Sequence, residues 1–352
     1  MKTKYGNYLL CIFLLIFIII SNVVAISPFI TPIIWFILAL IAQFISYKPY
    51  IPIKDYRGKL KNILILTLIY LIIYYSLGLI FSYSQNIYKF SNVLKNIYLF
   101  ITIIISKEYI RYLSINSKNN IIMILITILL ILSDLSLNNI LVNIKDKLNI
   151  FEYLFSVIFP VITTNVMYTV ICKKIRIYGV LINRVTITLV SLVVPVIPNI
   201  NWYTTGLVEG LYPIIVIYII NSLYYHKKKV IIPAVYVFII FILGLFISGV
   251  FRIYPLAIMS DSMSPLFNRG DVVIIDRNNN NLKVGDIIEY QKNDILVVYR
   301  IVKINDDYYQ TKGDNNEYVD NTLVSIKDIK GKYLYRIKYI GIPSVLFSEF
   351  LK

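Results

Sequence analysis

Nine apolar runs, separated by short polar or charged segments, fill the first 250 of the 352 residues. They lie near 8–26, 28–46, 62–83, 92–106, 120–137, 151–172, 180–200, 206–225 and 230–250. A helix needs about 17–25 apolar residues to cross a bilayer, and backbone immersed there must satisfy its own hydrogen bonds. The pattern therefore predicts nine transmembrane helices, the fourth of them short. Hydrophobic residues make up 58% of the chain and its mean hydropathy is +0.72, against roughly 45–50% apolar content in a soluble domain.

The formal charge of +16 points toward nucleic acid until the charges are counted by region. Residues 251–352 hold 14 Lys and Arg and 13 Asp and Glu, which leaves 21 basic and 6 acidic residues for the first 250. The excess lies between apolar runs, where basic residues orient spans, and nucleic-acid binding is set aside. With the N-terminus inside, the inner segments carry Lys2, Lys4, Lys48, Lys54, Arg57, Lys59, Lys61, Lys107, Arg111, Lys118, Lys173, Lys174, Arg176 and Lys227 to Lys229. The outer segments carry Lys89, Lys95, Lys145 and Lys147. This asymmetry of 16 to 4 predicts a multi-pass protein of the cytoplasmic membrane, N-terminus inside, with everything after the ninth span extracytoplasmic. The first run has an alternative reading as a signal peptide, because Lys2 and Lys4 precede an apolar core that ends in small residues at Val24-Ala25. Parity downstream is the same either way.

Within the runs, Arg184 and Glu209 lie near the starts of their spans and are expected to snorkel to the interface. Prolines 160, 195, 198, 213 and 233 imply kinks that neighbouring helices tolerate. Cys11 and Cys172 lack metal-ligand spacing and are expected to pack as small hydrophobes. The only histidine, His226, adjoins three lysines on the inner side. No metal or cofactor is expected.

After residue 251 the texture changes. Val272 to Ile275, Asp286 to Tyr290, Ile295 to Ile304 and Tyr333 to Ile340 are short β-branched or aromatic runs. Asn278 to Asn281, Asn305 to Asp307 and Gly313 to Asn316 punctuate them as turns. Residues 251–352 read as a small, mostly β domain, and Ile340 to Leu351 is too short to span. The fold class is thus a polytopic α-helical membrane bundle followed by a small mostly-β domain.

Ser260-Asp261-Ser262-Met263-Ser264-Pro265 opens that domain just past the last apolar run. A serine there can serve acyl transfer if a base, a group that orients the base and oxyanion donors accompany it. Alone, the segment is an ordinary turn. Downstream come Arg269-Gly270-Asp271, Gly285-Asp286-Ile287, Arg300-Ile301, Thr311-Lys312-Gly313-Asp314-Asn315-Asn316 and Gly331-Lys332 with Tyr339-Ile340-Gly341. In this order the segments resemble the type I signal peptidases of the archaeal and endoplasmic-reticulum-like branch, over about residues 251–342. Residues 1–225 lie outside the resemblance, since such relatives commonly have one or two anchoring spans.

The resemblance implies a signal-peptidase-like fold and a serine endopeptidase acting on the signal peptides of exported preproteins at the bilayer. Small residues would precede the cut, and the substrate would dock as an added strand. Ser262 matches the nucleophile, its backbone N–H an oxyanion donor, with Ser260 placed as a second donor. Asp320 matches the aspartate that orients the base, and Asp314 the aspartate that supports the site or, alternatively, caps its own turn. The departure is Tyr299, where relatives have histidine or lysine. A phenol ordinarily titrates near pH 10, so it seldom accepts a proton at neutral pH. Lys312 or Lys303 are alternative bases, and His226 is on the wrong side of the membrane. The alternative function is a catalytically impaired peptidase-like membrane protein that binds exported peptides without cutting. A transporter with an accessory outer domain would need polar groups lining the bundle, and few are expected there.

Overall fold

A computed structural model describes residues 2–23, 26–45, 56–85, 90–117, 119–135, 147–225, 251–279, 281–292, 295–305, 308–320 and 322–351. The chain divides into two units, Met1–Phe241 and Ile242–Lys352.

The first unit is helical. Its elements are α1 (Lys2–Val23), α2 (Ile30–Ile45), α3 (Tyr56–Ser76), α4 (Gly78–Phe81), α5 (Phe90–Asn116), α6 (Asn120–Asp134), α7 (Lys147–Tyr153), α8 (Phe159–Ile175), α9 (Ile177–Val193) and α10 (Trp202–Tyr225). A π turn, Leu154–Ile158, joins α7 to α8 just before Pro160. Four segments are long and apolar enough to cross a membrane: Gly6–Val23, Tyr56–Ser76, Ile150–Ile175 and Trp202–Ser222. Helices α2, α6 and α9 are shorter and apolar. Each of the first eight expected spans falls on a helix, while the ninth, 230–250, and His226 lie outside the described residues. The short strands β1 (Tyr83–Gln85) and β2 (Val196–Pro198) pair antiparallel. They bring the segment that follows α4 beside the segment that follows α9.

Two apolar clusters hold the helices together. One unites α1, α2, α5 and α6 around Leu14, Trp35, Ile110 and Ile126. The other unites α3, α8, α9 and α10 around Ile63, Met167, Ile171 and Val216. Cys172 is buried in the second and Cys11 packs against the first, both as free thiols.

Three expectations for the bundle are corrected by an ionic cluster joining α5, α6, α8 and α9. Lys107 and Arg111, counted above as inner-loop charges, lie within α5 and are 5% and 0% exposed. Arg184 does not snorkel from a span end: it donates to Glu108 at 2.5 Å and reaches Asp134 at 3.4 Å. Arg111 donates to Glu108 at 2.8 Å, to the Asn165 side chain at 2.7 Å and to Thr169 at 2.8 Å, and Lys107 donates to Asp134 at 2.6 Å. Charges in an apolar bundle turn inward because pairing there avoids the cost of facing hydrocarbon. The bundle interior is therefore more polar than the sequence led us to expect. Without Lys107 and Arg111 the loop asymmetry becomes 14 to 4.

The second unit is a seven-stranded antiparallel sheet in the order β3-β4-β9-β5-β6-β7-β8. Its strands are β3 (Ile253–Ala257), β4 (Val272–Asp276), β5 (Ile287–Lys292), β6 (Ile295–Asn305), β7 (Tyr308–Lys312), β8 (Val324–Ser325) and β9 (Ile329–Ile337), and α11 (Ile342–Leu351) follows. Residues 287–290 of β5 are buried on both faces, and Ile287, Ile288 and Tyr290 supply its apolar texture. Ile287 joins a cluster with Met263, Phe267, Val273 and Val298, while Ile288 and Tyr290 join Ile301, Tyr309 and Val324 on the other face. Ile253 to Ala257 form edge strand β3, paired with β4.

Glu289 is an exception to this apolar texture. It is 1% exposed and accepts a hydrogen bond from the Tyr254 hydroxyl. Burial raises its pKa above the ordinary 4.5, and the Tyr254 contact only partly opposes this. A carboxyl with a raised folded-state pKa costs stability once ionised, so stability is greatest below pH 4.5 and falls as pH rises through the raised value. Glu289→Gln is expected to remove that fall. In thermal melts of the full chain, the variant should gain on the native protein between pH 4 and pH 8, and parallel curves would refute the assignment.

Candidate active site

The Ser262 segment is the loop between β3 and β4, and backbone bonds close its neck. Ile258 donates to the Asp271 carbonyl at 2.9 Å, and Gly270 donates back to the Ile258 carbonyl at 2.9 Å. Inside the loop, Ser264 donates to the Asp261 carbonyl at 3.0 Å, and Arg269 N–H donates to the Asp261 carboxylate at 2.8 Å. Met263 and Phe267, 1% and 0% exposed, anchor it in the core. Ser262, partly exposed, directly precedes Met263, so its backbone is tied to the packing of the core.

Each Gly-Asp pair has a local task. Gly270 and Gly285 adopt φ of +89° and +94°, a region in which other residues are strained. The aspartate that follows caps the turn. Asp271 accepts from the N–H groups of Asn268 and Tyr339 at 3.0 and 3.1 Å. Asp286 accepts from Lys283 N–H at 2.9 Å and from the Lys332 ammonium at 2.7 Å. Burial alone would raise the Asp286 pKa, but these donors prevail and lower it.

A second loop, running from β7 at Lys312 to Asp320, lies on the first. Asn315 N–H donates to the Ser262 carbonyl at 2.9 Å, and the Asn315 side chain donates to the Asp261 carbonyl at 3.2 Å. Gly313 permits this approach, because a Cβ there would stand 2.7 Å from the Ser262 carbonyl oxygen. Asp314 is gripped by two of the three guanidinium nitrogens of Arg300, at 2.8 and 2.6 Å, rather than bonding its own turn. Arg300 also donates to the Gly285 carbonyl at 2.9 Å.

The two serines meet, with Ser260 Oγ 3.2 Å from Ser262 Oγ. Among the described residues no intrachain hydrogen bond uses the Ser262 backbone N–H. Tyr299 is partly buried against both apolar clusters, and its hydroxyl oxygen accepts from Asn316 Nδ2 at 3.4 Å. Asp320 is engaged elsewhere: its carboxylate takes the Tyr290 hydroxyl at 3.0 Å and the Lys292 ammonium at 3.4 Å. Lys312 pairs across the sheet with Arg300, and directly paired residues share a face, so it points away from the face of Tyr299. Motif reading included Asn315 and Asn316 without assigning them contacts, and it did not single out Tyr290. The alternation of β5 put Tyr290 on the face of Ile288, but no sequence signal gave its partner.

The Gly313 approach is testable. Gly313→Ala must push backbone against backbone, and overpacking of that kind typically costs about 1–3 kcal/mol. A lowered melting temperature is expected, with loss of any Ser262-dependent activity, and an unperturbed variant would show that the two loops are not in contact.

Residues 244–333 match the Peptidase S24-like family, an interval that contains Ser262, Tyr299, Asp314 and Asp320. The chain is similar to the signal peptidase complex catalytic subunit SEC11 of Ogataea parapolymorpha, 31% identical over 116 residues, which is 26% of this chain and 66% of that protein. It is similar to SEC11C of Homo sapiens, 28% identical over 110 residues, covering 27% of this chain and 57% of that protein. The SEC11 subunit of Candida tropicalis is 32% identical over 106 residues, 26% of this chain and 64% of that protein. The chain thus spans less than two thirds of each of these relatives. Over about a quarter of its length the chain carries a partial resemblance to the type I signal peptidases of the endoplasmic-reticulum type, within a region that matches the Peptidase S24-like family.

Proposed function

We propose that the C-terminal unit is a serine endopeptidase domain that cleaves signal peptides from exported preproteins, with Ser262 as nucleophile. The observation that carries the reading is the docking of Gly313 to Asn316 onto the Ser262 loop, which gathers Ser260, Ser262 and Tyr299 at one place. Ser262 Oγ attacks the scissile carbonyl as its proton passes to the base. The oxyanion is received by the Ser262 N–H and the Ser260 hydroxyl, one backbone donor and one side-chain donor. The base returns the proton to the departing amine, and water hydrolyses the acyl-enzyme. The free side of β3 supports docking of the substrate as an added strand.

Tyr299 stands at the base position and accepts a proton only as phenolate. That favours a second reading, in which the domain binds exported peptides without cutting them. Cleavage of a test preprotein by the full chain in liposomes, from pH 7 to pH 10, separates the two. We expect a rate that rises with pH and vanishes in Ser262→Ala. Loss of a base ordinarily lowers a serine hydrolase by orders of magnitude, so Tyr299→His should raise the neutral rate at least about tenfold. A silent native protein that becomes active as Tyr299→His would instead establish the non-cutting reading.

The proposed setting is the cytoplasmic membrane, with nine spans over residues 1–250, the N-terminus inside and residues 251–352 outside. The lipid bilayer and signal peptides are the partners. Support comes from the loop asymmetry of 14 to 4. A single cysteine placed at Asn278, in a chain with Cys11 and Cys172 replaced by alanine, should react with a membrane-impermeant maleimide from outside intact cells. Labelling only after lysis would overturn the orientation.

A further inference from the structure

We infer that Tyr290 is a positioning residue, whose hydroxyl clamps the neck of the 312–320 loop and so holds Gly313 to Asn316 against Ser262. Asp320 acts at the site through that clamp. The inference rests on the reading of Ser262 as nucleophile.

Tyr290 is 1% exposed, and its hydroxyl lies 3.0 Å from Thr311 Oγ1 and 3.0 Å from Asp320 Oδ2. These are the two residues that flank the loop. Their own backbones meet as well, with Asp320 N–H donating to the Thr311 carbonyl at 2.9 Å. A buried phenol costs stability unless its oxygen and proton are both used. Here the proton goes to the Asp320 carboxylate, which can only accept, and Thr311, fully buried, is left to donate to the phenol oxygen. The arrangement is satisfied in one way only, so the neck is specified rather than merely closed. From it the loop reaches Asn315, bonded to the Ser262 carbonyl, and Asp314, held by Arg300. The Tyr290 ring also meets the Tyr299 ring edge to face, with centroids 6.4 Å apart, so the clamp stands beside the base position.

This changes the task of Asp320. The aspartate of relatives is expected to orient the base, yet Oδ2 of Asp320 is taken by Tyr290 and Oδ1 faces Lys292. On this geometry what the site needs at position 320 is a hydrogen-bond acceptor for a phenol. An asparagine can supply one, and an alanine cannot.

The test uses the full chain in liposomes, with Tyr290→Phe, Asp320→Asn and Asp320→Ala beside the native protein. Two quantities are read: amide hydrogen exchange of the 313–320 segment relative to β4 and β9, and kcat and KM for the test preprotein. Tyr290→Phe should speed exchange in 313–320 by roughly ten- to a hundredfold, the range a hydrogen bond to a charged group supports. Its kcat should fall by a similar factor with KM little changed. Asp320→Asn should keep the native exchange protection of 313–320, while Asp320→Ala exchanges like Tyr290→Phe. Unchanged exchange in Tyr290→Phe, or faster exchange spread evenly over the sheet, would overturn the clamp. Asp320→Asn as inactive as Asp320→Ala, with its loop still protected, would overturn the acceptor role and return Asp320 to a role through its charge. If the native protein does not cut, the proposed function fails by itself, and the exchange of the three variants still decides the clamp.

Discussion

The candidate site depends on one guanidinium. Arg300, on β6, grips Asp314 through two nitrogens and donates a third contact to the Gly285 carbonyl. Three segments that are far apart in sequence therefore converge on one planar fork, a geometry suited to paired contacts and poorly replaced by the point charge of lysine. The loop beyond Asp314 has no regular secondary structure of its own. Its path is fixed from outside, by Arg300 at the tip and by the Thr311–Asp320 neck at the base, and only a loop so fixed can keep Asn315 on the Ser262 carbonyl. The ion pair is partly solvated, so its value lies less in net stability than in geometry.

The bundle solves a related problem in a medium where solvation is scarce. Arg111 and Glu108 are fully buried, and every nitrogen of Arg111 that bonds does so to α5 itself or to α8. Two carboxylates, Glu108 and Asp134, serve three cations, and Lys107 and Arg184 find further contacts over the Trp35 and Tyr168 rings at 4.7 and 5.2 Å. Such a cluster is weak evidence for stability, because desolvation opposes the attraction. It does fix the register of α5, α6, α8 and α9, since a shift of one residue in any of them would strand a charge among apolar side chains.

What was legible in the sequence followed from periodicity and from local chemistry. Apolar runs gave the helices, and β-branched runs gave β4, β5, β6 and β9, because in both cases the signal is carried by consecutive residues. Strand β3 was hidden, since an apolar stretch directly after a predicted span reads equally well as membrane-facing. The buried ionic cluster was also hidden. Lys107 and Arg111 stand four apart on one face of α5, but the counter-ion of Lys107, Asp134, comes from α6, and Glu108, which pairs with Arg111, also takes Arg184 of α9; charges near the end of a span ordinarily lie outside it. Tyr290 shows the limit most clearly, because its partners Thr311 and Asp320 are 21 and 30 residues away. Pairings at that distance are decided by sheet register, which the sequence of one strand does not contain.

Position 299 separates assembly of the site from its activation. The loops that bring Ser260, Ser262 and Asn315 together are held by Met263, Phe267, Gly313, Arg300 and Tyr290, and none of those contacts requires a base. Asn316 donates to the phenol oxygen of Tyr299, which leaves the hydroxyl proton of Tyr299 directed away from that bond. In this state Tyr299 offers a donor, whereas a general base must offer a lone pair. A donor beside the nucleophile suits the carbonyl of a bound peptide, and so serves recognition whether or not cleavage follows. On the proposed function, with or without cleavage, the first step would be to hold an extended peptide against Ser262, and the loop held by Arg300 and Tyr290 would serve that step.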